Sequence, residues 1–401
     1  MEVKIDKNRL NLLCERIIEY SLYTLIFFLP ASKAIVEICV TVAFIAWIIK
    51  NTNNNSFSLP KTDLNIPLLF FIVMSILSVT VTTQRPDISA RTFFRKTMEY
   101  VIILFMMAEV ITTKKRLTNI LIVMLASSFI VGLDGIYQNI MKVDFLRRFP
   151  LYAGKVTASF QFSNNLAGYL ITILPIPISL VIYKATNKKT RLSLILLLAL
   201  LVICLLLTRT RGAWLGFIVG LFFVCAFNGK KAIFVAILFL IILSIFSPTA
   251  IKDQIKSFTS LGTDVSTDDR IIIWSTAWQM FKNKPFFGHG LGTFMSVFGR
   301  YKPYDYNEIV YAHNCYLQMA AETGIFGLLI FLWFVFKFFK SAILKLLKSK
   351  DKFSKATLIG IAGGILAYLV HSFVDTNLYS LPLAVLFWAM AGLATARIES
   401  K

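Results

Sequence analysis

The chain has 401 residues, of which 57% are hydrophobic, and its mean hydropathy is +0.71. Apolar runs of about the length that crosses a bilayer follow one another, which excludes a soluble globular protein and predicts a polytopic membrane protein. The net charge of +21 would suit a nucleic-acid binder, but membrane proteins collect lysine and arginine in their cytoplasmic loops. We therefore expect membrane lipid, and no nucleic acid, as a partner.

Twelve apolar runs are expected to be transmembrane helices, because backbone polar groups cannot be left unpaired in lipid. Their residues are 17–30, 34–49, 64–82, 98–112, 117–136, 166–183, 192–208, 212–228, 232–247, 315–336, 356–375 and 379–396. The predicted fold class is an all-α polytopic membrane protein, with residues 1–401 as one transmembrane domain. Residues 248–312 form the one large loop, inserted between the ninth and tenth helices.

The positive charges predict the orientation of the chain. With both termini in the cytoplasm, the inside carries 19 Lys and 5 Arg and the outside 9 Lys and 9 Arg, which sum to the 42 basic residues. Lysine follows the positive-inside rule and arginine does not. The outer arginines are Arg85, Arg91, Arg95, Arg147, Arg148, Arg209, Arg211, Arg270 and Arg300. A planar guanidinium suits bidentate phosphate binding, so they favour an anionic ligand on the outer face, whereas pairing with Asp or Glu is the alternative for each.

Two outer segments carry candidate anion-binding residues. The first is the loop 137–165, which contains Arg147 and Arg148 and ends with Asn165 at the start of a helix. Ser163 or Asn164 could cap that helix. The N-terminus of a helix favours anions, so these residues could bind one. Helix capping alone is the competing interpretation of the asparagines.

The run 208–215 interrupts a long apolar stretch and predicts a tight hairpin, with Gly212 permitting the bend. Arg209 and Arg211 would then lie at the outer membrane boundary, where an anion would offset the cost of their burial.

The large loop contains an amphipathic segment, Asp268 to Phe281, whose apolar residues recur at spacings of three and four. It predicts an interfacial helix on the outer leaflet. Arg270 in its first turn opposes the helix dipole, which favours a ligand role, although pairing with Asp268 or Asp269 would also explain it.

His313 and Asn314 stand where the apolar run 315–336 begins. The positive end of a helix dipole favours a neutral imidazole, which is the form that a general base needs. Glu322 lies nine residues further into that run, where a buried acid indicates either function or a hydrogen bond to a neighbouring helix. His371, near Asp375, is interpreted as part of a structural pair.

No cofactor or metal is expected from the sequence. The five cysteines form no C-x-x-C pair, and the outer acids are few and scattered. Metal-dependent chemistry on a phosphate-bearing ligand would want a carboxylate site, so a metal-free mechanism is favoured.

Several runs, in this order, resemble the O-antigen ligase/polymerase family of bacterial envelope glycan enzymes. They are Thr208-Arg-Thr-Arg-Gly-Ala-Trp-Leu215, Asp269-Arg-Ile-Ile-Ile-Trp274, Gly288-x-Gly-x-Gly-Thr-Phe294 and Ala312-His-Asn-x-Tyr-Leu-x-x-Ala-Ala-Glu-x-Gly324. The resemblance implies a GT-C-like, metal-independent, inverting glycosyltransferase of the bacterial inner membrane, with its active site on the periplasmic face.

The resemblance also implies substrates and roles. The donor would be a glycan on undecaprenyl pyrophosphate, and the acceptor a lipid A core sugar in a ligase or a second lipid-linked glycan in a polymerase. Arg211 and Arg270 would hold the pyrophosphate, His313 would deprotonate or orient the acceptor hydroxyl, and Asp375 matches an acidic position of the family's late helix.

Ligase and polymerase both remain open, because no motif reports the acceptor pocket. A lipid-linked glycan transporter is the alternative outside the class. It is disfavoured because nearly all the arginines lie at or beyond helix ends rather than along a central path.

Overall fold

The computed structural model describes residues 7–55, 57, 59–81, 85–246, 265–304, 306 and 311–398. Within these ranges the regular structure is helical, apart from two isolated antiparallel bridges in the loop 143–155. The all-α architecture is therefore confirmed for the described ranges. The predicted loop 248–312 is described from 265 to 304, at 306 and from 311, and its remaining residues lie outside the described ranges.

The helices follow the apolar runs of the sequence closely. They are α1 (Lys7–Phe28), α2 (Lys33–Asn53), α3 (Asn65–Val81), α4 (Pro86–Thr92), α5 (Met98–Val110), α6 (Lys114–Met141), α7 (Ser163–Ile173), α8 (Pro175–Ile182), α9 (Lys188–Leu207), α10 (Arg211–Ala226), α11 (Lys230–Phe246), α12 (Val265–Asn283), α13 (Phe294–Phe298), α14 (Cys315–Lys348), α15 (Lys352–His371) and α16 (Leu381–Thr395). A π-helical turn joins α4 to α5, and a 3-10 turn, Asn377–Tyr379, precedes α16.

Six described helices are long and apolar enough to cross a membrane: α2, α6, the nearly continuous α7 and α8, α9, α14 and α15. This supports a polytopic membrane protein. Each of the twelve predicted spans overlaps a helix, although 166–183 covers both α7 and α8, and 356–375 runs past the end of α15 at His371, so Asp375 lies in the following loop. The count of twelve spans and the single transmembrane domain stay predictions.

Helix α15 lies deep in the bundle, as do α7 and α8, and most of its apolar residues are buried inside the protein. Its run Gly360-Ile-Ala-Gly-Gly364 presents small side chains, which let α8 and α10 approach it closely. A smaller apolar cluster under α12 and α13 contains Ile273, Met280, Phe294 and Phe298.

The ends of α14 and α15 define two opposite poles of the molecule. At one pole the short connection 349–351 joins them. At the other, the Cys315 N–H donates to the carbonyl oxygen of Ser372 at 2.9 Å. This bond brings the start of α14, with His313, beside the end of α15, with His371 and Asp375.

Candidate active site

A break in the middle of α14 organises the site. Gly324 has φ 68° and ψ −170°, which is not a helical conformation. Ile325 N–H therefore does not bond to the carbonyl of Ala321 but donates to Pro285 at 2.7 Å, and the freed Ala321 carbonyl accepts from His289 N–H at 2.9 Å. The loop following α12 thus replaces the missing turn and pairs backbone polar groups that would otherwise be buried without a partner.

Glycine is required at two positions of this joint because the backbones of the loop and of α14 are in direct contact there. A Cβ on Gly288 would lie 2.3 Å from the carbonyl carbon of Glu322, and a Cβ on Gly324 would lie 2.1 Å from the carbonyl oxygen of Phe286. Both residues also have positive φ. Gly288 and Gly324 thus belong to one joint between α12 and α14.

Glu322 fastens the same joint. Its carboxylate accepts hydrogen bonds from Gly292 N–H at 2.8 Å, Phe294 N–H at 3.2 Å and Gln318 Nε2 at 3.2 Å, and its side chain is buried. These hydrogen bonds hold the glycine loop to α14, which is a structural role. Substrate binding by Glu322 stays a prediction.

Gly324→Ala is expected to destabilise the protein by about 2 kcal/mol or more, because alanine is strained at positive φ and its Cβ would overlap the loop backbone. The measurement is the thermal unfolding midpoint in detergent. Gly299→Ala is the matched control, since Gly299 has φ −57° and a Cβ there meets no described atom within 4 Å. Equal midpoints for the two variants would contradict the joint.

His313 lies at the mouth of the site, two residues before α14 begins. Its Nδ1 atom is buried and lies 3.6 Å from Oδ1 of Asp375, while about a third of the side chain is exposed. The backbone of His313 has φ 46°, a left-handed conformation uncommon for a residue with a side chain. Such an outlier is typical of functional sites that the surrounding structure holds in place.

Asn314 is the residue that caps α14. Its side-chain oxygen accepts from the N–H groups of Tyr316 and Leu317, both at 3.0 Å. The cap fixes the direction in which the chain enters the helix and therefore where His313 lies. The side-chain oxygen of Asn314 is used by the cap, so the predicted ligand binding by Asn314 would involve its side-chain nitrogen.

Asp375 lies between two histidines. Besides His313, it faces His371, whose Nε2 is 3.8 Å from Oδ2 of the carboxylate. Burial raises the pKa of Asp375, but the hydrogen-bonding and charge interactions of the two imidazoles outweigh it, and the pKa lies below its usual value. Asp375 is thus an ionised, buried group able to orient an imidazole.

Sequence reasoning identified the His371–Asp375 pair but missed that Asp375 joins it to His313. The other nitrogen of the His371 ring, Nδ1, is 3.1 Å from Nδ2 of Asn377. An amide nitrogen donates, so Nδ1 accepts and Nε2 carries the proton that faces Asp375. The run His371-Ser-Phe-Val-Asp-Thr-Asn377 was the available signal for this array.

The arginine hairpin lies against the same array. The hairpin prediction is confirmed, since α9 ends at Leu207 and α10 begins at Arg211. The role given to Gly212 was wrong: Arg209, with φ 51°, makes the bend, and Gly212 lies inside α10. A Cβ on Gly212 would lie 2.3 Å from Val374 Cγ2, so this glycine lets the hairpin approach the loop that carries Asp375.

Arg270 approaches the array from α12. Its guanidinium is close enough to His371 for its charge to act on that imidazole. The helix buries Ile273 and Met280, while Ile271 is 57% and Trp278 49% exposed. The apolar face predicted from the spacing therefore points away from the protein, as expected of a helix lying against lipid.

The outer loop supplies Asn165 and two further arginines. The predicted Ser163 or Asn164 cap was wrong, because the N-cap is Phe162 and makes no side-chain cap bond. Asn164 instead accepts from Thr210 Oγ1 at 3.3 Å, which ties the start of α7, and hence the half-buried Asn165, to the arginine hairpin.

Arg147 and Arg148 are exposed. Arg147 donates to the carbonyl of Ala31 and its guanidinium lies 5.7 Å from the Phe149 ring centre. Among the contacts of the described residues, none joins this pair to His313 or Asp375. Arg85 and Arg91 both pair with Asp87, so ion pairing accounts for part of the outer arginine excess.

Within the described ranges, no three His, Cys, Asp or Glu residues lie together as a metal-binding group. The groups brought together are a histidine at a partly exposed mouth, a buried carboxylate, a second imidazole and the segments carrying Arg211 and Arg270. Such a set can move a proton and stabilise an anion.

Residues 194–332 match the family model described as O-antigen ligase. This range holds the arginine hairpin, α12, the glycine loop and His313. This match agrees with the resemblance stated from the motifs. The matched range ends before His371 and Asp375.

A relative gives the same indication. A Rickettsia conorii protein provisionally named a polysaccharide ligase is 28% identical over 172 residues, which make up 40% of this chain and 42% of that protein. The match spans less than half of the relative's length. Both matches support, at family level, similarity to enzymes of the O-antigen ligase/polymerase type.

Proposed function

We propose that the protein is a glycosyltransferase that moves a glycan from undecaprenyl pyrophosphate to a sugar hydroxyl of the lipid A core. The reaction is metal-independent and inverts the anomeric configuration. The proposal is carried by the 3.6 Å approach of the His313 ring to the buried Asp375 carboxylate, at a partly exposed mouth near the segments that carry Arg211 and Arg270.

The chemistry follows from these positions. Asp375 faces Nδ1 of His313 at 3.6 Å and favours the tautomer that carries its proton on Nδ1, which leaves Nε2 as the base that takes the proton of the acceptor hydroxyl. The hydroxyl oxygen forms a bond to the anomeric carbon as the bond from that carbon to the pyrophosphate oxygen breaks. Negative charge grows on the departing pyrophosphate, so fixed guanidinium groups bind the transition state more strongly than the ground state.

The remaining candidates receive roles around this step. Arg209, Arg147, Arg148, Asn165 and Asn314 would bind donor phosphates or glycan at the rim, and Glu322 would hold the loop that positions α12. The site faces the periplasm and both termini face the cytoplasm of the bacterial inner membrane. The orientation is supported by the lysine-rich connections 337–355 and 184–191, which follow the positive-inside rule.

The direct test is transfer in proteoliposomes with a chelator in excess. Purified protein receives an undecaprenyl-pyrophosphate glycan, with and without a lipid A core acceptor. Product on the core lipid despite chelation is the expected result. Chain growth on the donor lipid alone would replace the ligase with a polymerase of the same donor chemistry, and loss of product on chelation would remove the metal-free mechanism.

Asp375→Asn is expected to lower the transfer rate by about 10²–10⁴-fold, because an amide cannot hold the His313 ring in the tautomer that accepts a proton. The measurement is kcat and KM for the donor in the same liposomes. Donor KM should change little, since Asp375 touches the base and not the phosphates. A large rise in KM with an unchanged kcat would contradict the positioning role.

A further inference from the structure

A cavity of about 650 Å³ lies at the opposite pole from the candidate active site, between the ends of α6, α14, α15 and α16. Five cationic side chains and one carboxylate line it: Lys114, Lys345, Lys348, Lys350, Arg397 and Asp351. All of them belong to segments that the positive-inside rule places in the cytoplasm. No step of the proposed reaction uses this cavity.

Two of the five cationic side chains already interact with groups of the protein. Lys114 pairs with Asp351 at 2.9 Å. Lys345 donates to the carbonyls of Ala394 at 2.9 Å and Thr395 at 2.6 Å, and so closes the C-terminal end of α16. The only carboxylate of the lining is therefore committed to Lys114.

The other three cations keep positive charge available. Among the described residues, Arg397 donates to the carbonyl of Lys61 at 3.2 Å. For Lys348 and Lys350, both exposed, the described part of the chain provides neither a hydrogen bond nor an ion pair. Among the described residues, the two nearby carboxylates are Asp351, which pairs with Lys114, and Asp63, whose charge acts on Lys345. An anion at this rim would still meet an excess of positive charge.

Below the rim the cavity is apolar. Its inner wall contains Leu117, Leu358, Ile361 and Leu393. Ile361 lies ten residues beyond Asp351, so the wall descends by roughly 15 Å along α15. The one polar feature at this depth is the Thr357 hydroxyl, which is buried and without a hydrogen-bond partner among the described residues.

We infer that this cavity binds an anionic phospholipid from the cytoplasmic leaflet. The phosphate lies among Lys348, Lys350 and Arg397, a headgroup or glycerol-ester oxygen accepts from Thr357, and an acyl chain follows the leucine and isoleucine wall. A basic rim over an apolar wall fits a lipid, whereas a free phosphate or nucleotide would leave the wall unfilled.

The test is native mass spectrometry of the purified protein titrated with phosphatidylglycerol or phosphatidylcholine. The wild type should retain phosphatidylglycerol preferentially. The double variant Lys348→Gln/Lys350→Gln should bind it on the order of 25-fold more weakly, at about fivefold for each lysine lost. Lys188→Gln/Lys189→Gln is the matched control, because it removes equal charge from the start of α9, outside the cavity.

A second variant separates a lipid from a free anion. Ile361→Trp fills the wall and leaves the rim intact, so it should weaken phosphatidylglycerol binding, while inorganic phosphate should not displace the lipid from the wild type. Equal retention of both lipids by the wild type, or an equal loss in the two double variants, would overturn the inference. Displacement by phosphate together with no effect of Ile361→Trp would make the site a phosphate site instead.

Discussion

Replacing His313 with alanine is expected to lower kcat for glycan transfer by about 10²–10⁴-fold, the range that a positioned general base supplies. The physical reason is that two imidazoles face Asp375 in the described structure, and of these only His313 is exposed enough to meet an acceptor hydroxyl, since His371 is buried. His313→Gln should be equally impaired, because an amide fills the space of the ring but cannot accept that proton.

The measurement is the initial rate at saturating donor and acceptor. Both His313 variants should insert and unfold like the wild type, since His313 lies outside the helix and about a third of its side chain is exposed. Donor KM should stay near its original value, as expected when an interaction made only in the transition state is removed. Activity within a few-fold of the wild type would exclude His313 as the base.

Arg270→Ala is expected to cost about 10²–10³-fold in kcat, the magnitude typical of losing one donor that stabilises a developing negative charge. Arg270→Lys should recover only part of this, because an ammonium keeps the charge without the planar fork that binds two phosphate oxygens. Arg211→Ala and Arg211→Lys should follow the same order. The assay is the same transfer rate, read together with donor KM.

Arg91→Ala is the matched control for these variants. Arg91 is an arginine of the same predicted outer side, is exposed and pairs with Asp87 rather than with the site. Its loss should leave transfer nearly unchanged. If Arg91→Ala and Arg270→Ala lowered the rate equally, the effect would come from general outer charge and not from a fixed guanidinium at the pyrophosphate.

The helices were predictable because a chain segment in lipid has few ways to pair its backbone polar groups. An apolar run in a membrane must satisfy its backbone polar groups internally, so run 352–371 or 188–207 is a helix whatever surrounds it. The arginine hairpin was predictable for the same reason, because four polar residues cannot continue two apolar helices through the membrane.

Side-chain spacing was a poorer guide inside the large loop. The apolar residues of α12 recur on two faces, and spacing does not tell which face the protein buries and which one lipid covers. Ile273 and Met280 turned inward because α13 and α14 offered apolar partners there.

The joint at Gly324 required tertiary information. Gly288 and Gly324 are 36 positions apart in the chain, and only their meeting explains why neither tolerates a Cβ. The same holds for His313 and Asp375, which come together because Cys315 and Ser372 share a backbone hydrogen bond. Sequence motifs supplied the candidate residues, and the fold supplied their pairing.

The most direct measurement of the central claim is the amount of undecaprenyl pyrophosphate released for each glycan joined to an acceptor in proteoliposomes. The account predicts equal amounts of both products in the wild type, and neither above background in His313→Ala. Movement of the intact donor across the bilayer, without release of the lipid pyrophosphate, would contradict glycosyl transfer and establish a transporter.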